Sequence, residues 1–490
     1  MRKQKQSTFK RLANGGTNRR ERRELNRRLC CEDPGLEVAH ADAAGIDIGN
    51  ESHFVAVAPS RDAQPVREFG SWTADLNRMA EWLKSCGIRT VAMQSTGVYW
   101  FAVYDVLERH GLEVFLVNAH HTKNLPGRKT DVQECQWLLK LHTYGLLRNS
   151  FRPPEEIRAL RTVWRLRDRH VKEASRSIQH MQKALTSMNV QLANAISDIS
   201  GLSGQAIIRA ILQGERDPYA LARLASPRVR AGEEEIARSL EGYWQEDSLF
   251  ELRQSLAAYD FAQQQLQECD RRLQMYLAAM PTKPAPDSDA GDDPTASAEP
   301  DQAKGGKKKK KKKNRTPSRN APKSFDLAAE LKRICGVDAT RIEGVDVMTV
   351  QTIVAELGTD LQNHWPSENH FASWLKLSPQ RDISGGKVIR HTREASRSRV
   401  AGVLRMAATT LLRSDSYLGA RYRALRGKLG AAKAIKATAR YLACLIYRVF
   451  TKGQEWVDRG SQIFEHKREE REKALLQRKA AALGLKIVPA

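Results

Sequence analysis

The stretch Ala43-Ala-Gly-Ile-Asp47-Ile-Gly-Asn50 is an apolar run that carries a single carboxylate, Asp47, and closes on Gly49-Asn50. Such a run, bounded by turn-forming residues, predicts a buried strand. An ionised acid inside it is costly unless a cation, a hydrogen-bond network or a metal compensates, so Asp47 requires other groups to converge on it. A second strand lies at hairpin distance, His53 to Ala58, and a third near Val66 to Phe69. A helix (Leu76 to Cys86), a strand (Thr90 to Gln94), a helix (Val98 to His110), a strand (Glu113 to Asn118) and a helix from Asp131 come next. Three strands in a meander followed by alternating helices and strands predict an α/β domain with a mixed sheet over residues 43–150.

Beyond it the pattern changes to helix. Within 151–280, Ile157, Leu160, Trp164, Val171, Ala174, Ile178, Met181, Leu185, Met188 and Leu192 follow alternating spacings of three and four, broken by Arg167 alone. A second run, Leu249, Leu252, Leu256, Tyr259, Leu266 and Leu273, lies past a shorter helical insert. The pair is expected to form an antiparallel coiled-coil arm, or helices that dimerise. Residues 281–324 read as a low-complexity linker, acidic at first and then carrying the lysine run Lys307 to Lys313. A mostly α C-terminal domain is expected over 325–455 and a charged helical tail over 456–490, while 1–42 reads as a basic arm disordered when free. Near the start of the C-terminal domain Ile334-Cys-Gly-Val-Asp338 is echoed by Ile342-Glu-Gly-Val-Asp346, which resembles half of a helix-hairpin-helix or is an ordinary connecting turn.

Lys and Arg number 81 against 57 acids, a net charge of +24 and a pI near 9.8. That excess is far beyond what solubility requires, and a polyanionic partner is its simplest reading. The seven cysteines lack metal-ligand spacing, which argues against zinc and for a reducing compartment. No apolar run is long enough to span a bilayer and no apolar segment of a signal peptide follows the basic start, so a cytoplasmic protein is expected.

Three segments can carry chemistry. Pro126-Gly-Arg-Lys-Thr-Asp131-Val-Gln-Glu134 leads two cations, Arg128 and Lys129, into a helix whose first turn presents Asp131 and Glu134 on one face. Two such carboxylates can share a divalent cation with Asp47, or can simply offset the helix dipole. The strand ending at Gln94 should lie beside Asp47, where the amide offers an oxygen without charge. In Leu377-Ser-Pro-Gln-Arg-Asp-Ile-Ser384-Gly-Gly-Lys387 a serine bracketed by glycines, with Lys387 nearby, can present its hydroxyl to a phosphodiester or can be only a turn between helices.

Taken together, GIDIGN around Asp47, QSTGVYW at Gln94 to Trp100, GRKTDVQE at Gly127 to Glu134, GLLRNSFRP at Gly145 to Pro153 and SPQRDISGGK at Ser378 to Lys387 resemble the insertion-sequence-110 family of transposases, over roughly Ala43 to Glu455. The resemblance implies a ribonuclease-H-like, RuvC-like domain binding Mg²⁺ through Asp47, Asp131 and Glu134, with Gln94 at the fourth ligand position. It implies that Ser384 is the nucleophile that joins covalently to DNA. It further implies a non-coding bridge RNA as guide, DNA ends and target as substrates, and a homo-oligomer, dimer or tetramer, whose composite sites combine one subunit's acids with another's serine. The family pattern has Glu where this chain has Gln94, Asp where it has Glu134, and glycine near Asp346. A RuvC-like hydrolytic nuclease and an inactive RNA- or DNA-binding derivative are the alternative readings.

Overall fold

The apolar alternation of the 43–48 segment produces the central strand of a five-stranded sheet. β1 (Ala43–Ile48), β2 (Ser52–Val57) and β3 (Val66–Gly70) form an antiparallel meander, and β4 (Thr90–Gln94) and β5 (Glu113–Val117) add in parallel on the other side of β1, giving the order β3-β2-β1-β4-β5. The computed structural model describes residues 35–94, 97–118, 130–284, 318, 320–384, 387–392, 398–453 and parts of 470–481, and of the side chains between 380 and 397 only that of Val388. Most of the basic arm, Arg128 and Lys129, the lysine run and most of the charged tail lie outside the described residues. The chain divides into two compact units: residues up to Arg152 together with Ile383–Lys387, and the remainder from Pro153.

In the first unit both faces of the sheet are covered, as parallel pairing requires. Ala44, Ile46 and Ile48 point to one face, with Val91, Met93, and the Met79, Leu83, Val103 and Leu107 side chains of α1 (Thr73–Ser85) and α2 (Trp100–Arg109). Ala92 and Val117 point to the other, against Leu138 and Leu141 of α3 (Asp131–Thr143). Gly45 shares that second face, and a Cβ there would run into the Cys135 carbonyl and the Leu139 amide of α3. Glycine is therefore what lets the helix lie directly on the strand.

The second unit is built on two long helices, α4 (Glu155–Ser187) and α9 (Glu246–Ala279), 33 and 34 residues. Ion pairs from Arg167 to Asp270 and from Lys183 to Glu251 fix them as an antiparallel pair. Between them lie α5 (Leu192–Ala195), α6 (Leu202–Leu212), α7 (Pro218–Ala222) and α8 (Glu233–Ser239), which bury Ile207, Ile208, Ile211, Leu221, Ile236 and Leu240 against Met181, Leu185, Leu249 and Leu252 of the pair. Arg167, the break in the apolar spacing, is buried and bonded to the Asp270 carboxylate, so the charge that interrupts the pattern is neutralised inside the helix pair.

The base of the pair meets α10 (Leu327–Cys335) and α11 (Val347–Leu357). Arg165 forms a two-pronged bond to Glu356, Trp164 Nε1 donates to Thr352 Oγ1, and Arg333 donates to the Leu277 and Met280 carbonyls. α12 (Glu368–Trp374), α13 (Arg399–Thr410), α14 (Tyr417–Leu429) and α15 (Ala431–Lys452) complete the unit, Leu442, Ile446 and Phe450 of α15 being buried. The two-stranded sheet β6 (Gln380–Ser384) and β7 (Lys387–Thr392) belongs to it except for Ile383–Lys387, which fall in the first unit.

The echoed Ile-x-Gly-Val-Asp segments are each a glycine turn followed by an aspartate cap. Gly336 and Gly344 sit at positive φ, +70° and +85°, and the aspartate two residues later caps a helical turn. Asp338 accepts from Thr340 N, and Asp346 accepts from Thr349 N and Thr349 Oγ1. The carboxylate of Asp346 thus takes the Thr349 amide at the start of α11, and the segment has the form of a capped connecting turn.

Candidate active site

Strand register settles where Asp47 points. Gly45 pairs with Ala92 and Ile46 with Met93 across the parallel β1–β4 ladder, so Asp47 and Gln94 fall next to one another at the carboxyl ends of the two strands. Side chains alternate along a strand, which puts Asp47 on the Gly45 face, beneath α3. Gln94 is buried, 8% exposed, and Asp47 is half-buried. This end of a parallel pair is where open α/β sheets place ligands.

α3 runs so that its first turn overhangs that end. His142, near its carboxyl terminus, bonds Thr90 beside the start of β1, Cys135 and Leu139 lie over Gly45, and Asp131 and Glu134 therefore lie toward Asp47. The helix start is fixed by a capping box: Gln133 N donates to Thr130 Oγ1, and Thr130 N donates to Gln133 Oε1. Asp131 is exposed and Glu134 half-buried, both within the turn where the helix dipole favours a carboxylate.

The electrostatics of Cys135 follow from this arrangement. Cys135 is fully buried, and its thiol is pushed up to about 12, by burial foremost and then by the charges of Asp47 and Asp131, the first from the strand and the second from the helix. Three carboxylates and an amide oxygen are hard donors of the kind Mg²⁺ takes. Among the described residues, however, no group of three or more His, Cys, Asp or Glu side chains is close enough to hold a metal ion. The acids share one end of the sheet without closing into a coordination shell.

Ser384 closes β6 and Lys387 opens β7, so the expected glycine turn between helices is flanked instead by a two-stranded sheet. The side chains of both residues, and Arg128 and Lys129 altogether, lie outside the described residues. Two features of the first unit escaped the sequence pattern. Gly45 sets the helix-to-strand approach on which Asp47 depends. His53, opposite Ile48, is buried at 2% exposure on the other sheet face with its ionisation lowered by burial, a core histidine whose signal is only the strand alternation.

Two family profiles match the chain. One, described as a transposase of the DEDD IS110 type, covers residues 44–190, and the other, described as transposase IS116/IS110/IS902 family, covers residues 338–423. No curated protein matches. The first matched segment contains Asp47, Gln94, Asp131 and Glu134, and the second contains Ser384.

Proposed function

We propose, for a chain that belongs to the IS110 family of transposases and is therefore a DNA transposase, that strand exchange proceeds through a covalent bond between Ser384 and DNA, assisted by the acids at the β1, β4 and α3 junction. The observation that carries this reading is the placement of Asp47 on the face covered by α3, with Asp131 and Glu134 opening that helix. In the reaction the Ser384 Oγ–phosphorus bond forms as a phosphorus–oxygen bond to deoxyribose breaks. The serine gives up its proton and the departing sugar oxygen gains one. Phosphoester energy is retained in the phosphoserine, so rejoining needs no external energy source.

Asp47, Asp131 and Glu134 are the carboxylates that would hold Mg²⁺, with the Gln94 amide as a neutral donor. When bound, the cation supplies positive charge beside the phosphoryl oxygens. Glu134 preserves the charge of the family's usual aspartate, whereas Gln94 lacks the charge of its glutamate, which favours one ion over two. Gln94→Glu is expected to tighten divalent-cation binding. The bridge RNA as guide, the homo-oligomer with composite sites, and a coiled-coil role for α4 and α9 in dimerisation and RNA contact belong to the same proposal. The net charge of +24 supports holding RNA and DNA together.

The test is a denaturing gel of the purified chain with its element's DNA ends, flanking RNA and Mg²⁺. A protein–DNA adduct that Ser384→Ala removes, and that Asp47→Ala reduces without lowering the melting temperature, is the expected result. Cleavage without an adduct would establish a hydrolytic nuclease instead. Binding with neither product would establish a disabled derivative.

A further inference from the structure

From Ser416 to Gln454 the chain contains nine Lys and Arg residues and no acid. These residues make up the hairpin of α14 and α15, joined at Gly430, which takes φ +77°. Toward the base of the hairpin the cations are engaged: Arg423 donates to the Leu412 and Ser414 carbonyls, Arg440 to Ser378 and Asn369, and Arg448 to Glu368. Toward the tip they are not. Arg426, Lys428 and Lys433 are exposed, Lys436 is half-exposed, and among the described residues none of the four has a carboxylate partner. The acid nearest in sequence, Asp415, precedes the far end of α14, about 20 Å away along a helix of 13 residues.

The tip is also bare of packing. A Cβ added at Gly427 or Gly430 would meet nothing within 4 Å, and residues 426–433 are all exposed. We infer that this hairpin tip is a docking surface for the phosphate backbone of duplex DNA, with Arg426, Lys428, Lys433 and Lys436 as its phosphate contacts. Four like charges held unpaired on two helices repel one another, and a polyanion relieves that repulsion. A duplex fits better than a single strand because the exposed tip presents no aromatic ring on which unpaired bases could stack: Tyr422 is buried, and Tyr417 and Tyr441 are only partly exposed. DNA is the duplex named because this inference rests on the chain being a DNA transposase. It is independent of the serine chemistry.

The test uses the full chain and a labelled duplex of arbitrary sequence, its affinity followed against salt. The variant Arg426→Gln, Lys428→Gln, Lys433→Gln, Lys436→Gln is expected to lose about three to four from the slope of log affinity against log salt and to bind at least about a hundredfold more weakly at about 50 mM salt. A control variant, Lys84→Gln, Arg109→Gln, Arg228→Gln, Arg238→Gln, removes as much charge from exposed positions away from the hairpin and from α4 and α9, and is expected to keep the parental slope. Gly427→Glu provides a second reading, since it places a carboxylate among the four cations at an open helical position where replacing glycine favours the helix. It too should weaken binding. Equal losses in hairpin and control variants, no loss in either, or a loss seen only with duplex RNA of the same sequence would each overturn the inference. A chain that binds through the tip yet forms no serine adduct would leave it standing while removing the proposed mechanism.

Discussion

At Gly45 a hydrogen atom is all that separates β1 from the backbone of α3. Gly45→Ala forces the helix away from the strand, and overpacking of this kind costs about 1–3 kcal/mol. A lowered melting temperature, together with loss of strand exchange beyond what residual folding explains, is the expected result. A second prediction concerns His142, which is fully buried, stacks on His40 with ring centroids 4.5 Å apart, and is depressed to about 4, by burial foremost and then by His40. Its folded value lies below the unfolded value of about 6.5, so the unfolded chain binds the extra proton first. Its contribution is complete above about pH 6.5, is lost as pH falls toward 4, and amounts to at most about 3 kcal/mol. Buried His53 acts in the same direction. Melting temperature against pH should therefore be flatter in His142→Gln than in the parent. Asp47 was legible because a lone acid in an apolar run demands partners. Gly45 was not, because nothing in a sequence distinguishes a glycine under a helix from one in a turn.

Among the elements, the long pair α4 and α9 is held by a charge in its interior. Arg167→Leu leaves the Asp270 carboxylate buried without its cation, which typically costs about 3–5 kcal/mol, whereas Arg167→Leu with Asp270→Leu should recover most of that loss. Chemical denaturation of the two variants checks the difference. Asp346→Ala removes a helix cap and should cost about 1 kcal/mol without creating phosphate affinity. The long helices and the five-stranded sheet were readable because their apolar periods persist over many residues. β6 and β7 were not: Gln380-Arg-Asp-Ile-Ser384 holds one apolar residue and Lys387-Val-Ile-Arg-His-Thr392 two, and pairing between strands leaves little trace in so short and polar a pattern.

For the whole molecule, each compact unit has its own buried core, one around Ile46, Met93 and Leu107 and others around Ile207 with Leu252 and around the α15 apolar face. Calorimetry is expected to resolve more than one unfolding transition, with Gly45→Ala lowering one and Arg167→Leu another. A single transition shifted equally by both substitutions would contradict that expectation. The antiparallel course of α4 and α9 has a further consequence. Chain leaves the pair at Ser187 and rejoins it at Glu246, so the four short helices hang from one end while both roots are tied to α10 and α11 at the other. The pair is in effect a ruler. Seven residues added to each helix at matching positions would carry the short-helix cluster about 10 Å outward while turning it by only about 20°, so its reach can be lengthened or shortened in fixed steps while the roots stay as they are.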